Sequence, residues 1–521
     1  MTVARAAATV GGLTVASRLL GVVRDVLIAA LLGAGPSADA FLIAFKFPNF
    51  FRRLFAEGAF SAAFVPRFGG ILALRGRPAA ERFGEATLAL LASLLLGAVA
   101  LAELAMPALV VVLAPGFVGD PARFALTVEL TRITAPYLLF IALTALLAGM
   151  LNALERFAAA AAAPILLNLV MIAAALGLGP RLASPAHAFA WGVAAAGALQ
   201  FLWLAWACRR AGLALRLPAP RLDPEVRRLL ALMAPGAIGA GAVQISLMLN
   251  LILASLLAPG SVSYLYYADR VVQLPLGVVG AALATALLPT LTRQRRAGDH
   301  EAARAGLGRA LEGALALTLP AMAGLALLAG PIVAVLFERG AFAPAAATAT
   351  AHALVAFAPG LPAFVLVKVL APGFFAREDT TTPVAVAAGA LALNLVLNLA
   401  LMPVLAHVGI ALATSLAGWL NAGLLAALLM RSGELSVTAA QRRRLGGLVG
   451  AVGVMALAVG LGRQALAGAL ASGTPLAAAA LAGLIVGGAA VFALAAQRLG
   501  ALDAGALWRA LRGRADALPA A

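Results

Sequence analysis

Charged side chains crowd two apolar stretches near the start of the chain: Arg18, Arg24, Asp25, Asp39, Lys46, Arg52, Arg53 and Glu57. A second group, Asp269 and Arg270, opens another apolar stretch far along the sequence. An ionisable group held in hydrocarbon costs a few kcal/mol or more, so such residues face a wet cavity or a partner. Arginine dominates the set. Its guanidinium fork binds phosphate oxygens bidentately and keeps its charge in a low-dielectric site. Arg18 and Arg24 are six residues apart, about 9 Å along a helix and about 120° apart around it, so their long side chains can still converge. Arg18, Arg24, Arg52 and Arg270 are therefore expected to contact an anion such as a pyrophosphate. Asp25, Asp39 and Asp269 are expected as associated acids and gate. Ion pairing is the competing role: Arg24 with Asp39, Arg270 with Asp269 and, favoured as structural, Arg53 with Glu57 four residues on.

Those residues need a membrane-spanning frame, and the composition supplies one. The 521 residues are 63% hydrophobic and only 11% charged, where a soluble chain carries about a quarter charged residues. Bilayer crossing takes roughly 20 apolar residues per helix. Such spans are expected near 8–33, 38–66, 84–113, 124–151, 160–180, 187–208, 229–257, 263–291, 310–336, 349–375, 383–404, 407–430, 445–466 and 475–497. The fold class is thus all-α integral membrane, with about fourteen transmembrane helices. The first apolar run continues through Arg18 and Arg24 without a cleavage site, so it is expected to be an uncleaved helix.

Alternate connections carry most of the arginines, from Arg67, Arg75, Arg77 and Arg82 to Arg442, Arg443 and Arg444, while the others hold few, such as Arg123, Arg181, Arg339 and Arg463. By the positive-inside rule both termini are expected in the cytoplasm, and the net charge of +17 belongs to the membrane face rather than to nucleic acid. Pro36, Pro66 and Pro136 recur as Pro259, Pro289 and Pro359, each 223 residues later, and Pro107 recurs as Pro331 with a one-residue slip. Equal spacing of prolines implies equal bends, and repeats of six helices imply two parallel lobes. The expected organisation is 1–215 for the first lobe, 216–435 for the second, and 436–521 for two further helices and a cytoplasmic tail.

Several functions are excluded by what is missing. The two lysines, Lys46 and Lys368, follow no glycine-rich phosphate loop, so ATP is not expected. Cys208 is alone and the four histidines lack metal-ligand spacing, so no cofactor is expected. No cluster of acids or histidines suits a lipid phosphatase, and a basic cavity suits anions better than cationic drugs. The expectation is a transporter, not an enzyme.

Four motifs carry a family resemblance. Ser17-Arg-Leu-Leu-Gly-Val-Val-Arg-Asp25, the stretch from Asp39 to Ser61, Tyr266-Tyr-Ala-Asp-Arg270 and the stretch from Lys368 to Arg377 resemble the MurJ (MviN) lipid II flippases, within the multidrug, oligosaccharidyl-lipid and polysaccharide exporter superfamily. The resemblance runs over essentially the whole chain. It implies a flippase, in the bacterial inner membrane, that carries lipid II from the cytoplasmic to the outer leaflet for peptidoglycan synthesis. The residues alone leave another polyprenyl-pyrophosphate-linked glycan open. The family's cavity arginines map onto Arg18, Arg24, Arg52 and Arg270, with Asp39 and Asp269 beside them, and the last two spans are implied to extend a groove for the polyprenyl tail. Some relatives hold sodium at positions matching Asn250, Asn394, Asn398 and Thr414. All four are neutral here, so a vestigial site without metal is expected.

Overall fold

The structure, a computed structural model, describes the backbone of residues 3–56, 59–213 and 215–501, and the side chains of all of these except 3–8, 51–56, 59, 62, 234–247, 278–286 and 474. All regular structure among the described residues is helical. Chain contacts divide it into two compact units, the first being Met1–Ser263 with Arg339–Ala343, and the second Tyr264–Glu338 with Pro344–Ala521.

The first unit contains α1 (Val3–Leu32), α2 (Pro36–Ala56), α3 (Ala59–Arg75), α4 (Arg77–Leu104), α5 (Met106–Leu113), α6 (Pro121–Thr134), α7 (Tyr137–Ala153), α8 (Phe157–Leu178), α9 (Pro185–Arg210) and α10 (Pro224–Ser255). Helix α8 lies between α1 and α9, and α7 packs on α9, α2 and α3. At Gly192 of α9 an added Cβ would come within 2.9 Å of the Ala174 Cβ, so glycine is what admits α8 so closely. Small residues at such crossings are the usual device in lipid, where burial of apolar area supplies little drive and van der Waals packing must. Phe60, Phe64 and Phe83 add stacked rings at 5.3 and 5.5 Å, each pair worth about 0.5–1.5 kcal/mol. Met150, Cys208, Val226 and Leu229 join them in one buried cluster, which brings the start of α10 against α3. There Glu225 is gripped by Arg67 and, at 2.9 Å, by Arg75. These hydrogen bonds, Arg67's first, hold its carboxyl below the ordinary 4.5.

The second unit contains α11 (Ser261–Arg296) from Tyr264 onward, α12 (His300–Leu327), α13 (Ala329–Phe337), α14 (Pro344–Phe357), α15 (Gly360–Phe375), α16 (Thr381–Arg431), α17 (Ala439–Ala465), α18 (Ala467–Ala471) and α19 (Thr474–Arg498). Helix α15 packs on α12 and α16, and α17 packs on α12 and α19. Thr438 and Gln441 form a capping box at the start of α17, each side chain accepting from the other's backbone N–H. The ion pair Arg295–Glu434 at 2.5 Å ties α11 to the loop after α16, and Arg444–Glu312 at 3.4 Å joins α17 to α12.

Eight helices among the described residues are long and apolar enough to cross a bilayer, and α14 with α15, bent by 42°, makes a ninth. The expected spans are segmented more than the hydropathy pattern suggests. The stretch 84–113 is divided between α4 and α5. Helix α16 runs 51 residues through two expected spans and breaks at Ala406 (φ 48°, ψ −130°), between the expected boundaries at 404 and 407.

The 223-residue offset of the prolines recurs in backbone geometry. Ala105, between α4 and α5, has φ −92° and ψ 10°, and Leu328, between α12 and α13, has φ −104° and ψ 13°. Pro136 and Pro359 share φ −57°, ψ −23° and φ −59°, ψ −23°. Glu155 and Glu378, non-glycine residues in the left-handed region, have φ 59° and 63°. A left-handed non-glycine residue is uncommon. Its appearance at matched positions marks each unit as a copy of one helical plan.

Candidate functional site

Arg24 and Asp25, on α1, are buried to 6% and 4% exposure. The Arg24 Nε and Nη2 both donate to Asp25 Oδ1, at 3.0 and 2.7 Å, and Nη1 donates to Asn168 Oδ1 at 2.9 Å. Asn168, on α8, completes the arrangement by donating its Nδ2 to the Ser17 carbonyl at 2.9 Å. One amide thereby reads both a cation and a backbone acceptor, and it fixes the guanidinium plane from a neighbouring helix. The Arg24 guanidinium carbon lies 5.3 Å from the Phe45 ring centre. Hydrogen bonds to a charged group in such a setting are worth about 1.5–3 kcal/mol each. The expected alternative partner for Arg24, Asp39, is engaged elsewhere, and Arg24 pairs with its own neighbour instead. Arg18, a turn and a half earlier, is exposed.

Asp39, in the first turn of α2, is completely buried. It accepts from Arg123 Nη2 at 2.5 Å, from the backbone N–H groups of Gly260 and Ser263 at 2.7 and 2.9 Å, and from Ser263 Oγ at 2.5 Å. Ser263 is in the first turn of α11 and Gly260 immediately precedes the helix, where the first N–H groups have no partner within it. A carboxylate from another helix thus serves as the cap. Arg123 is itself 4% exposed and lies 3.5 Å from the centre of the Phe117 ring. Near this cluster, the segment Arg339–Ala343 returns to the end of α1, with the Ala341 N–H donating to the Ala30 carbonyl at 2.8 Å. Gly33 (φ 66°) and Gly340 (φ 60°) face each other's strands of backbone, and a Cβ on either would overlap a carbonyl oxygen of the other segment.

In the second unit, Asp269 accepts from Gln273 Nε2 at 3.3 Å, and the Arg270 guanidinium lies 4.7 Å from the Tyr266 ring centre. Tyr267 in turn contacts Phe337 with ring centres 5.0 Å apart. Asn398 Nδ2 donates to Asn394 Oδ1 at 3.1 Å, and both residues are buried. Thr414 donates to the Ile410 carbonyl of its own helix at 2.8 Å. Asn250 belongs to the first unit. Among the described residues no three His, Cys, Asp or Glu side chains converge as metal ligands. The side chains of Arg52, Arg53 and Glu57 lie outside the described residues.

Arg123, Asn168 and Ser263 join the set without having been marked by the sequence. Arg123 reads as a loop arginine at the edge of an expected span, and Asn168 as a single amide in an apolar run. An isolated polar residue inside a membrane helix was the available signal.

A sequence profile of the family described as "Lipid II flippase MurJ" matches residues 28–480. A Rhizobium meliloti (strain 1021) protein described as "Probable lipid II flippase MurJ" is 46% identical over 480 residues, covering 91% of this chain and 90% of its own length. A Rhizobium tropici protein with the same description is 49% identical, covering 82% and 81%. Among solved structures, "Lipid II flippase MurJ, inward closed conformation" superposes with a TM-score of 0.78 at 23% identity, over 96% of this chain and 99% of its own, a likeness of fold. On the profile match and the two relatives, the chain belongs to the lipid II flippase MurJ family.

Proposed function

We propose that this protein flips lipid II from the cytoplasmic to the outer leaflet of the inner membrane by alternating access. The observation that carries the reading is the buried Arg24 fork, held by Asp25 and Asn168 inside an apolar bundle of a lipid II flippase family member. Asp25 is the counter-charge of the empty site. A pyrophosphate brings more negative charge than one carboxylate and takes over the fork, while Asn168 keeps the guanidinium plane in place. Release restores the Arg24–Asp25 pair, so the site never holds an uncompensated charge in hydrocarbon. Arg18, Arg52 and Arg270 supply the remaining phosphate contacts, and Asp39 and Asp269 the associated acids.

The lobes 1–215 and 216–435 move about this site, and α17 and α19 line a groove for the polyprenyl tail. Both termini are cytoplasmic, in keeping with the arginine-rich connections. The membrane potential supplies the energy: an anion leaving an inside-negative cell gains about 2.3 kcal/mol per charge per 100 mV. Neutral Asn394, Asn398 and Thr414 give a hard cation little compensation for lost hydration, so sodium is not the coupling ion.

The test is complementation in a bacterium depleted of its own flippase, with lipid-linked sugars assayed by leaflet. Wild-type protein should clear lipid II from the cytoplasmic leaflet, whereas Arg24→Ala and Arg270→Ala, although inserted, should not. Accumulation of a different lipid-linked sugar, or full activity of both variants, overturns the reading.

A further inference from the structure

The connection between α9 and α10 and the first turns of α10 carry six exposed arginines: Arg209, Arg210, Arg216, Arg221, Arg227 and Arg228. The nearby carboxylates are already engaged. Asp223 caps α10 by accepting from the Val226 N–H at 3.0 Å, Glu225 is held by Arg67 and Arg75, and Glu85 accepts from the Arg216 backbone at 3.0 Å. Among the described residues, Arg227 and Arg228 have no carboxylate within ion-pairing distance. Both line a cavity of about 370 Å³ whose other walls are Leu222, Pro224 and Ala231. On the opposite side of the same turn Val226 and Leu229 are buried, so the cavity is built on an anchored helix end.

The chemistry of this cavity is two-sided. Two guanidinium groups offer bidentate hydrogen bonds to an oxyanion. Of the apolar walls Leu222 is 50% exposed, and Leu232, next in sequence to Ala231, is 55% exposed. Trp206, at 46% exposure on the last turn but one of α9, has the Arg210 guanidinium 4.4 Å from its ring centre. Tryptophan and arginine together at a helix end are the composition of a headgroup-level interface.

We propose that the Arg227–Arg228 cavity binds an anionic glycerophospholipid, its phosphodiester between the two guanidinium groups and its glycerol and first methylenes against Leu222, Pro224 and Ala231. The site is independent of the transported substrate. Because Glu225 occupies the same turn of α10 and engages α3, a lipid seated at Arg227 and Arg228 braces the helix end that the Arg67 and Arg75 contacts secure.

The experiment uses the purified full chain in detergent, titrated with phosphatidylglycerol or phosphatidylcholine and read by native mass spectrometry. Each arginine near an anionic headgroup is worth roughly fivefold in affinity, so Arg227→Gln with Arg228→Gln should weaken phosphatidylglycerol binding about 30-fold. Phosphatidylcholine should bind weakly to both proteins. The control is Arg442→Gln with Arg443→Gln, the same charge change at an exposed helix start in the second unit, which should leave affinity unchanged. Equal loss in both double variants would show unspecific surface charge and overturn the proposal. So would unaltered binding by the first variant, or displacement of the lipid by inorganic phosphate at matched concentration.

Discussion

Removing the Asp39 carboxylate should harm the protein more than removing its partner and should harm it least efficiently when both go together. In Asp39→Ala, the Arg123 guanidinium, 4% exposed and pressed on Phe117, loses its counter-charge. Leaving a buried charge without its partner costs about 3–5 kcal/mol. In Arg123→Ala, the carboxylate still accepts from the Gly260 N–H, the Ser263 N–H and the Ser263 hydroxyl. The loss there is one charge-assisted hydrogen bond, about 1.5–3 kcal/mol. The double variant has no orphan charge, so its destabilisation should fall short of the sum of the single losses by roughly 1–3 kcal/mol, the range of coupling for residues in direct contact. Equilibrium unfolding in mixed micelles, followed by tryptophan fluorescence, measures all three. Additive losses would refute the reasoning, because they would mean that Arg123 does not depend on Asp39 for its compensation.

Asn168→Leu removes the hydrogen bonds to Arg24 and Ser17 while preserving bulk; complementation should fall about tenfold, the equivalent of ~1.4 kcal/mol, with membrane insertion unchanged, and full activity would deny Asn168 its positioning role. Glu225, whose carboxyl is held below 4.5 by Arg67 and then Arg75, contributes stability that is present above its unfolded pKa and lost as pH falls through the lower folded value; unfolding curves of wild type and Glu225→Gln should therefore differ at neutral pH and converge in acid. Gly340→Val places a β-branched side chain at φ 60° and against the Ala30 carbonyl, a strain of about 1–3 kcal/mol or more, which a thermal melt in detergent should register. Replacing sodium with choline at fixed potential and pH should leave the flipping rate unchanged, whereas an ionophore that collapses the potential should stop it.

The parts of the fold that the sequence reveals are those written in local pattern. Apolar runs mark helices, and Pro107, Pro136, Pro331 and Pro359 mark where spans bend, because proline removes a donor wherever it stands. The division of 84–113 into α4 and α5 follows the same rule: the break at Ala105 comes two residues before Pro107, which stands in the first turn of α5. The charged site is half legible. Arg24 and Asp25 are conspicuous, yet adjacent residues point about 100° apart on a helix, so their pairing is not suggested by spacing. It depends on a long side chain folding back and on Asn168, 144 residues away, holding it. The Asp39–Arg123 pair is longer in reach than any helical period and exists only once α2 and α6 are packed. Charge in a membrane helix announces that a partner exists; packing alone names it.

The two sequence repeats share their bends but not their chemistry. At the 223-residue offset, Arg24, Asp25, Asp39, Arg123 and Asn168 correspond to Leu247, Met248, Val262, Ala346 and Leu391, and Arg270 corresponds to Phe47. A duplicated gene explains the similar dihedral angles at Ala105 and Leu328 far better than two independent inventions would. The ionic residues, by contrast, stand in one repeat only. Each half therefore holds a different part of the charged set. A protein assembled from two copies of the second half would keep the repeated bends and carry Arg270 twice, but would lose Arg24, Asp25, Asp39 and Arg123, the buried charges of the first.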